Sequence, residues 1–450
     1  MLQDFDKSIQ ELESNLANQQ FDSVRERLQS HFPSDIAYLI SHIDRSFWEP
    51  LVHIITELPN LGELIQEMDQ EFITDVIQFM DGSQVSELFA QMDVDNRAKV
   101  LSLLPEPVAN WVFENLKAED SKEAETLLEF EEGQAGRIMS LDFFSLPENV
   151  TVVEAFHALK SAFDAEMVYY IYITNDQQQL TGVVSIRDLL TKPNSKTMDE
   201  IMVREFISVP AQMDQEDVAH SVERYNLAAI PVVDEQNKIL GIITVDDVID
   251  VIRSEATEDI MKLAGTTEDE FSSQAPHKGF LRRMPWLLVS FVGGMLTIQT
   301  NIYFAGKIAQ IELIAFITII AGMGGNIGSQ SSTIVVRGLA TGKIHVTELW
   351  EVFFREIAIG VLLGVFFGLL LSLVASLQFQ NFGVIGISVG MGMLFSMVIA
   401  AATGSFMPII FQRMKVDPAV ATGPFVSTTI DNLGLISYFA VTMLVMRFLN

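Results

Sequence analysis

Between Pro418 and Met446 the chain carries a single charged side chain, Asp431. A carboxylate alone in apolar surroundings costs several kcal/mol unless it is compensated, and a divalent cation suits that need. A second acidic set lies upstream in "DVIDVIRSEATEDIMKLAG" (247–265). Asp247 and Asp250 are three apart there; Glu255 is three from Glu258 and four from Asp259. Like charges at those spacings face one another on a helix and repel, and a bridging hard divalent ion reverses the sign. Cysteine is absent, which excludes disulfides and thiolate metal sites. His31, His42 and His53 recur every eleven residues, but Pro33 and Pro50 break the phase a histidine metal site would need. No P-loop, HExxH, GxSxG or nucleophile–base pair is found, so an enzyme is not expected.

The elements that position these carboxylates fall into two halves. The 450 residues hold 59 acidic and 28 basic side chains, a net charge of -31. From Pro276 onward there are only 6 acidic and 10 basic residues, so the first 275 residues carry a net of -35. Such an acidic half argues against nucleic acid as a partner and points to cations. The polar, acidic N-terminus has neither a basic n-region nor an apolar h-region and does not read as a secretory signal, so the first half is expected in the cytoplasm.

The second half reads as five membrane spans, at about 285–306, 313–337, 354–377, 383–411 and 422–446. The longest uncharged run, Ile357 to Gln412, splits at the polar Gln378–Gly383 stretch. Arg282, Arg283, Arg337, Lys343, Arg413 and Lys415 all fall on one side if the N-terminus is inside. An odd number of spans then puts the C-terminus outside and makes a pore shared across a homodimer attractive.

Residues 1–130 read as short amphipathic helices, an all-α, superhelical domain punctuated by Pro33, Pro59, Pro105 and Pro107. Downstream, "QQQLTGVVSIRDLL" (177–190) and "QNKILGIITVDDVI" (236–249) align at an offset of 59. Each offers an apolar strand, a Ser or Thr that can cap, and an acidic residue opening a helix. This tandem α/β module resembles a pair of CBS domains, expected over 131–197 and 198–252. Such pairs sense adenine nucleotides or other small ligands. An acidic connecting helix and linker follows (253–280), then the transmembrane domain (281–450).

"GMGGNIGSQSSTIVVRG" (322–338) and "DPAVATGPFVSTTIDNLG" (417–434) resemble the signature segments of the MgtE family of magnesium transporters, as does the order of parts. The resemblance covers essentially the whole chain. It implies a channel-like Mg²⁺ importer, homodimeric in the bacterial cytoplasmic membrane, which its cytosolic domains close when internal Mg²⁺ is high. It assigns Asp431 to the transported ion, held largely hydrated because Mg²⁺ sheds water reluctantly. Asp417 would concentrate cations at the cytoplasmic mouth. The regulatory ions would fall to Asp214, Glu216, Asp247, Asp250, Glu255, Glu258 and Asp259, with Asp93 or Asp95 from the N domain. ATP is a further candidate ligand of the CBS pair, with either Asp188 or Asp247 placed for a ribose contact.

Three other readings compete. A site for Co²⁺, Mn²⁺ or Ni²⁺ should show softer ligands, yet neither His nor Cys lies near Asp431 in its span. An anion channel should carry cationic or amide-rich pore groups. A membrane-anchored sensor without transport explains the CBS pair, but not five spans rich in glycine and buried polar residues.

Overall fold

The computed structural model describes residues 2–68, 70–161, 169–267, 276–307, 311–344, 348–380, 382–421 and 423–449. Part of the expected linker, 268–275, and Thr422 of the second signature segment lie outside them. The chain divides into two compact units, Met1–Arg253 and Ser254–Asn450.

The first unit opens with short helices, from Leu2–Ala17 to Ala118–Leu128. Their lengths follow from the breakers: Pro33 begins helix Pro33–His42, Pro105 precedes Glu106–Asn115, and Pro59 falls between Trp48–Ile55 and Leu61–Gln66. Asp81 and Gln84 form a reciprocal capping box at the start of Gly82–Ala90. That helix buries Val85, Leu88 and Phe89, the apolar face its spacing predicts.

The internal repeat folds as two three-stranded sheets of identical topology. In one, β1 (Ser145–Pro147) runs parallel to β2 (Tyr170–Thr174), which pairs antiparallel with β3 (Leu180–Ser185). In the other, β4 (Val209–Pro210), β5 (Ala229–Val233) and β6 (Ile239–Thr244) repeat the pattern. Both second strands carry an irregularity at the equivalent place, Ile173/Thr174 and Val232/Val233. The hairpin turns meet through Leu180 N–H donating to Asn237 O (2.9 Å) and Asn237 Nδ2 donating to Leu180 O (2.9 Å). Asp188 N–H donates to the Ser185 hydroxyl at 3.1 Å, so the predicted cap forms.

Among the described residues, the second unit contains five helices long and apolar enough to cross a membrane. They run Pro276–Ala305, Ile317–Ala340, Leu349–Phe379, Ile387–Arg413 and Pro424–Leu449. The first starts about two and a half turns, and the third more than one turn, before the spans expected from the apolar runs. Lys278, Arg282, Glu351 and Arg355 end the apolar pattern, yet Lys, Arg and Glu are good helix formers. The fourth helix is the most enclosed, burying Ser388, Met393, Ala400, Gly404 and others along its length. Preceding the bundle, helix Val245–Ala264 begins two residues earlier than the acidic run suggests and ends at Gly265, whose φ is +76°.

Candidate functional site

The helix bearing Asp431 is packed among three others. Ile430 lies in van der Waals reach of Gly324 and crowds Gly328 on the second span. Gly434 faces Ser396 on the fourth, where a Cβ would come within 2.8 Å of the hydroxyl oxygen. Asn432 Nδ2 donates to Thr428 O (2.8 Å) and to Gly293 O of the first span (3.4 Å). Asp431 itself is half-buried. The chain breaks before this segment: a short helix, Pro418–Ala421, precedes the turn containing Gly423, and the long helix begins at Pro424.

In the second span only some of the small residues take part in packing within the chain. Gly324 and Gly328 are interior, but a side chain at Gly322 or Gly325 would meet open space. Asn326, Ser329 and Gln330 are not buried within the chain, whereas Ser331 and Ser332 are. The Ser331 hydroxyl donates to Glu356 Oε2 at 2.9 Å, and Glu356 is only 2% exposed. Sequence reasoning missed Glu356 because it ends one residue before the uncharged run. The signal was its phase, four residues before Gly360 and eight before Gly364, on the same face.

A second cluster joins the connecting helix to the bundle. Lys262 Nζ lies 2.7 Å from Glu258 Oε1 and 2.7 Å from Asp417 Oδ2. The other Asp417 oxygen accepts the Ala419 backbone N–H at 2.8 Å and caps the short helix. Arg337, at the end of the second span, is 3.7 Å from Asp259. Burial, and then the neighbouring Asp417, lift the Asp259 carboxyl above its ordinary range, against the pull of Arg337 and Lys262. The sequence reading saw the repelling carboxylates here and overlooked Lys262, one turn beyond Glu258.

The remaining acidic residues lie in or near the first unit. Val94 and Ala98, from the helix that starts after Asp93 and contains Asp95, share a core with Val248 and Val251 of the helix carrying Asp247 and Asp250. Asp95 is 7% exposed, while Asp93 is half-exposed. Val218, Ala219 and Val222 join the same core from helix Gln215–Tyr225, at whose start lie Asp214 and Glu216. Asp214 caps that helix by accepting the Glu216 N–H at 2.8 Å. Burial raises the Asp247 carboxyl, although the Thr244 hydroxyl donates to it at 2.6 Å. Asp250 is exposed and Glu255 partly so. Among the described residues no three His, Asp or Glu are gathered closely enough to hold a metal ion.

A cavity of about 320 Å³ opens between the two sheet modules, lined by Tyr170, Tyr172, Asp188, Phe206 and Tyr225 among others. Tyr172 is 1% exposed and its hydroxyl has no hydrogen-bond partner among the described residues. Of the two residues considered for a ribose contact, Asp188 lines this cavity and Asp247 does not.

The arrangement defines a multi-pass membrane protein that carries a tandem pair of like α/β modules. Three family profiles match it: the MgtE intracellular N domain over 31–133, the CBS domain over 135–194 and 198–254, and the MgtE divalent cation transporter over 317–441. The magnesium transporter MgtE of Bacillus subtilis is 32% identical over 423 residues, 94% of this chain and 93% of its own. That of Enterococcus faecalis is 32% identical over 450 residues, 99% of each chain. The crystal structure of the cytosolic domain of the Mg²⁺ channel MgtE in complex with ATP superposes with a TM-score of 0.50 at 29% identity. It covers 53% of this chain and 98% of that one. The chain belongs to the MgtE family of magnesium transporters, a family of transporters and not of enzymes.

Proposed function

We propose that this protein is a channel-like Mg²⁺ importer whose pore is closed by intracellular Mg²⁺. The observation that carries the reading is Asp431, a lone carboxylate on a span packed among three apolar helices. In a two-fold homodimer two such carboxylates face one axis, a charge that suits a hydrated divalent ion. The N-terminus and CBS pair lie in the cytoplasm of the bacterial cell and the C-terminus outside, an orientation supported by the basic loops. Parts divide as an N domain to residue 130, CBS domains over 131–197 and 198–252, the connecting segment over 253–280, and the membrane domain beyond.

Gating falls to carboxylates on separate elements. Asp93 or Asp95, Asp214, Glu216, Asp247 and Asp250 belong to the first unit; Glu255, Glu258, Asp259 and Asp417 belong to the second. All are hard oxygen donors, which fits Mg²⁺ better than softer ions. Regulatory Mg²⁺ must bind the closed arrangement more tightly than the open one. The CBS pair binds ATP in this reading; aromatic walls, the Tyr172 hydroxyl and Asp188 supply stacking and polar contacts for a nucleoside. The test is flux through the full-length protein in proteoliposomes, with Mg²⁺ imposed on one side and competing divalents, protons and sodium varied. Mg²⁺-driven uptake that Mg²⁺ on the opposite face suppresses is expected; absence of Mg²⁺ flux refutes the reading.

A further inference from the structure

We propose that Trp286 is a positioning residue that couples the connecting helix to the entrance of the fifth span. The inference rests on the gating reading above and adds the part that transmits it. Gly265, in the left-handed region at φ +76°, ends the connecting helix against the Trp286 indole, and a Cβ there would overlap Cδ1 and Nε1. The same ring lies against Gly423, where a Cβ would come 2.5 Å from Cζ2 and 2.6 Å from Nε1. One rigid bicyclic side chain therefore fills the space between two backbones that both lack a side chain.

The position of these glycines gives the contact its consequence. Lys262 and Gly265 occupy the last turn of the connecting helix and the residue that ends it. Through Lys262 that turn grips Asp417, before the short helix Pro418–Ala421; through Trp286 it bears on Gly423, after it. The short helix is thus held at both ends by one turn. Close-packed contacts transmit a displacement instead of absorbing it. A shift of the connecting helix moves Gly423, and Asp431 lies about 12 Å farther along the helix that starts there. An indole serving only as an interfacial anchor would need neither glycine.

The experiment uses the full-length protein in proteoliposomes and reads two quantities: maximal flux at low Mg²⁺, and the midpoint of inhibition by Mg²⁺ on the connecting-helix face. Trp286→Ala is expected to keep maximal flux within about twofold while raising the midpoint about tenfold. Trp286→Phe, a milder change that guards against misfolding, should fall between. Gly265→Asn retains access to left-handed backbone but adds a side chain. It should shift the midpoint with Trp286 present and do nothing further in Trp286→Ala, because the ring it displaces is gone. A loss of maximal flux with an unchanged midpoint, or shifts that simply add, overturns the coupling role. A wild-type flux indifferent to Mg²⁺ on that face removes the gate itself, and this role with it.

Discussion

The ammonium of Lys262 lies 2.7 Å from Oδ2 of Asp417 and 2.7 Å from Oε1 of Glu258, tying the connecting helix to the residue that caps the entrance of the fifth span. With Arg337 beside Asp259, the cluster sets two cations against three carboxylates. Lys262, Glu258 and Asp417 are about a third exposed or more, so the Lys262 pairs are worth no more than about 1 kcal/mol.

Lys262→Gln should accordingly expose the connecting helix when no metal is present. Limited proteolysis of the metal-free protein should cut there about fivefold faster, the equivalent of about 1 kcal/mol. Saturating Mg²⁺ should restore wild-type resistance, because a divalent ion replaces the missing positive charge. Unchanged cutting in metal-free buffer would show that the pair contributes nothing.

Asp431→Ala and Asp431→Asn should both reduce Mg²⁺ flux more than tenfold, a loss of at least about 1.4 kcal/mol of attraction for the ion. Asn preserves shape and hydrogen bonding but not charge. Wild-type conduction by the Asn variant, measured in proteoliposomes, would show that the negative charge does not recruit the ion.

The chain contains no cysteine, so Ser427→Cys introduces a single thiol one turn before Asp431. If two subunits share the ion path, that thiol should cross-link to its copy under mild oxidation in native membranes. A monomer transporting at the full rate would exclude the shared path.

Glu356 is buried, and its Oε2 accepts from Ser331. Glu356→Ala removes that acceptor, leaves the Ser331 hydroxyl unpaired and opens a cavity, at an expected cost of about 2–4 kcal/mol. Glu356→Gln keeps an acceptor and should cost less than half as much. Melting of the purified protein in detergent checks the order.

The raised Asp259 carboxyl has a consequence for pH. Its proton is bound more tightly in the folded unit than in the unfolded chain. Stability from this group is therefore fully present below the ordinary value of 3.8 and declines as pH rises through the raised one. Asp259→Asn should flatten that part of the stability–pH curve and leave the arms on either side parallel. A curve superimposable on the wild type would dissociate Asp259 from the effect.

Much of the architecture was legible because it depends on patterns local in sequence. Uncharged runs longer than a bilayer is thick predict spans, and all five are helices. The 59-residue offset predicts two copies of one module, and β3 and β6 keep that offset to the residue. Boundaries were less legible. Lys278 and Glu351 end an apolar pattern without ending a helix, since hydropathy and helix propensity are separate properties.

What sequence alone determined, then, is the repeated module, from its offset, and the membrane spans with the one carboxylate in the last of them, which follow from the cost of placing charge in hydrocarbon. Tertiary structure decided which side chains meet. No spacing rule links Lys262 to Asp417, Arg337 to Asp259, Ser331 to Glu356, or Trp286 to both Gly265 and Gly423. Each pairing depends on how helices distant in the chain pack, and on the backbone approach that absent side chains permit. Sequence distance carries no information about that until the helices are in place.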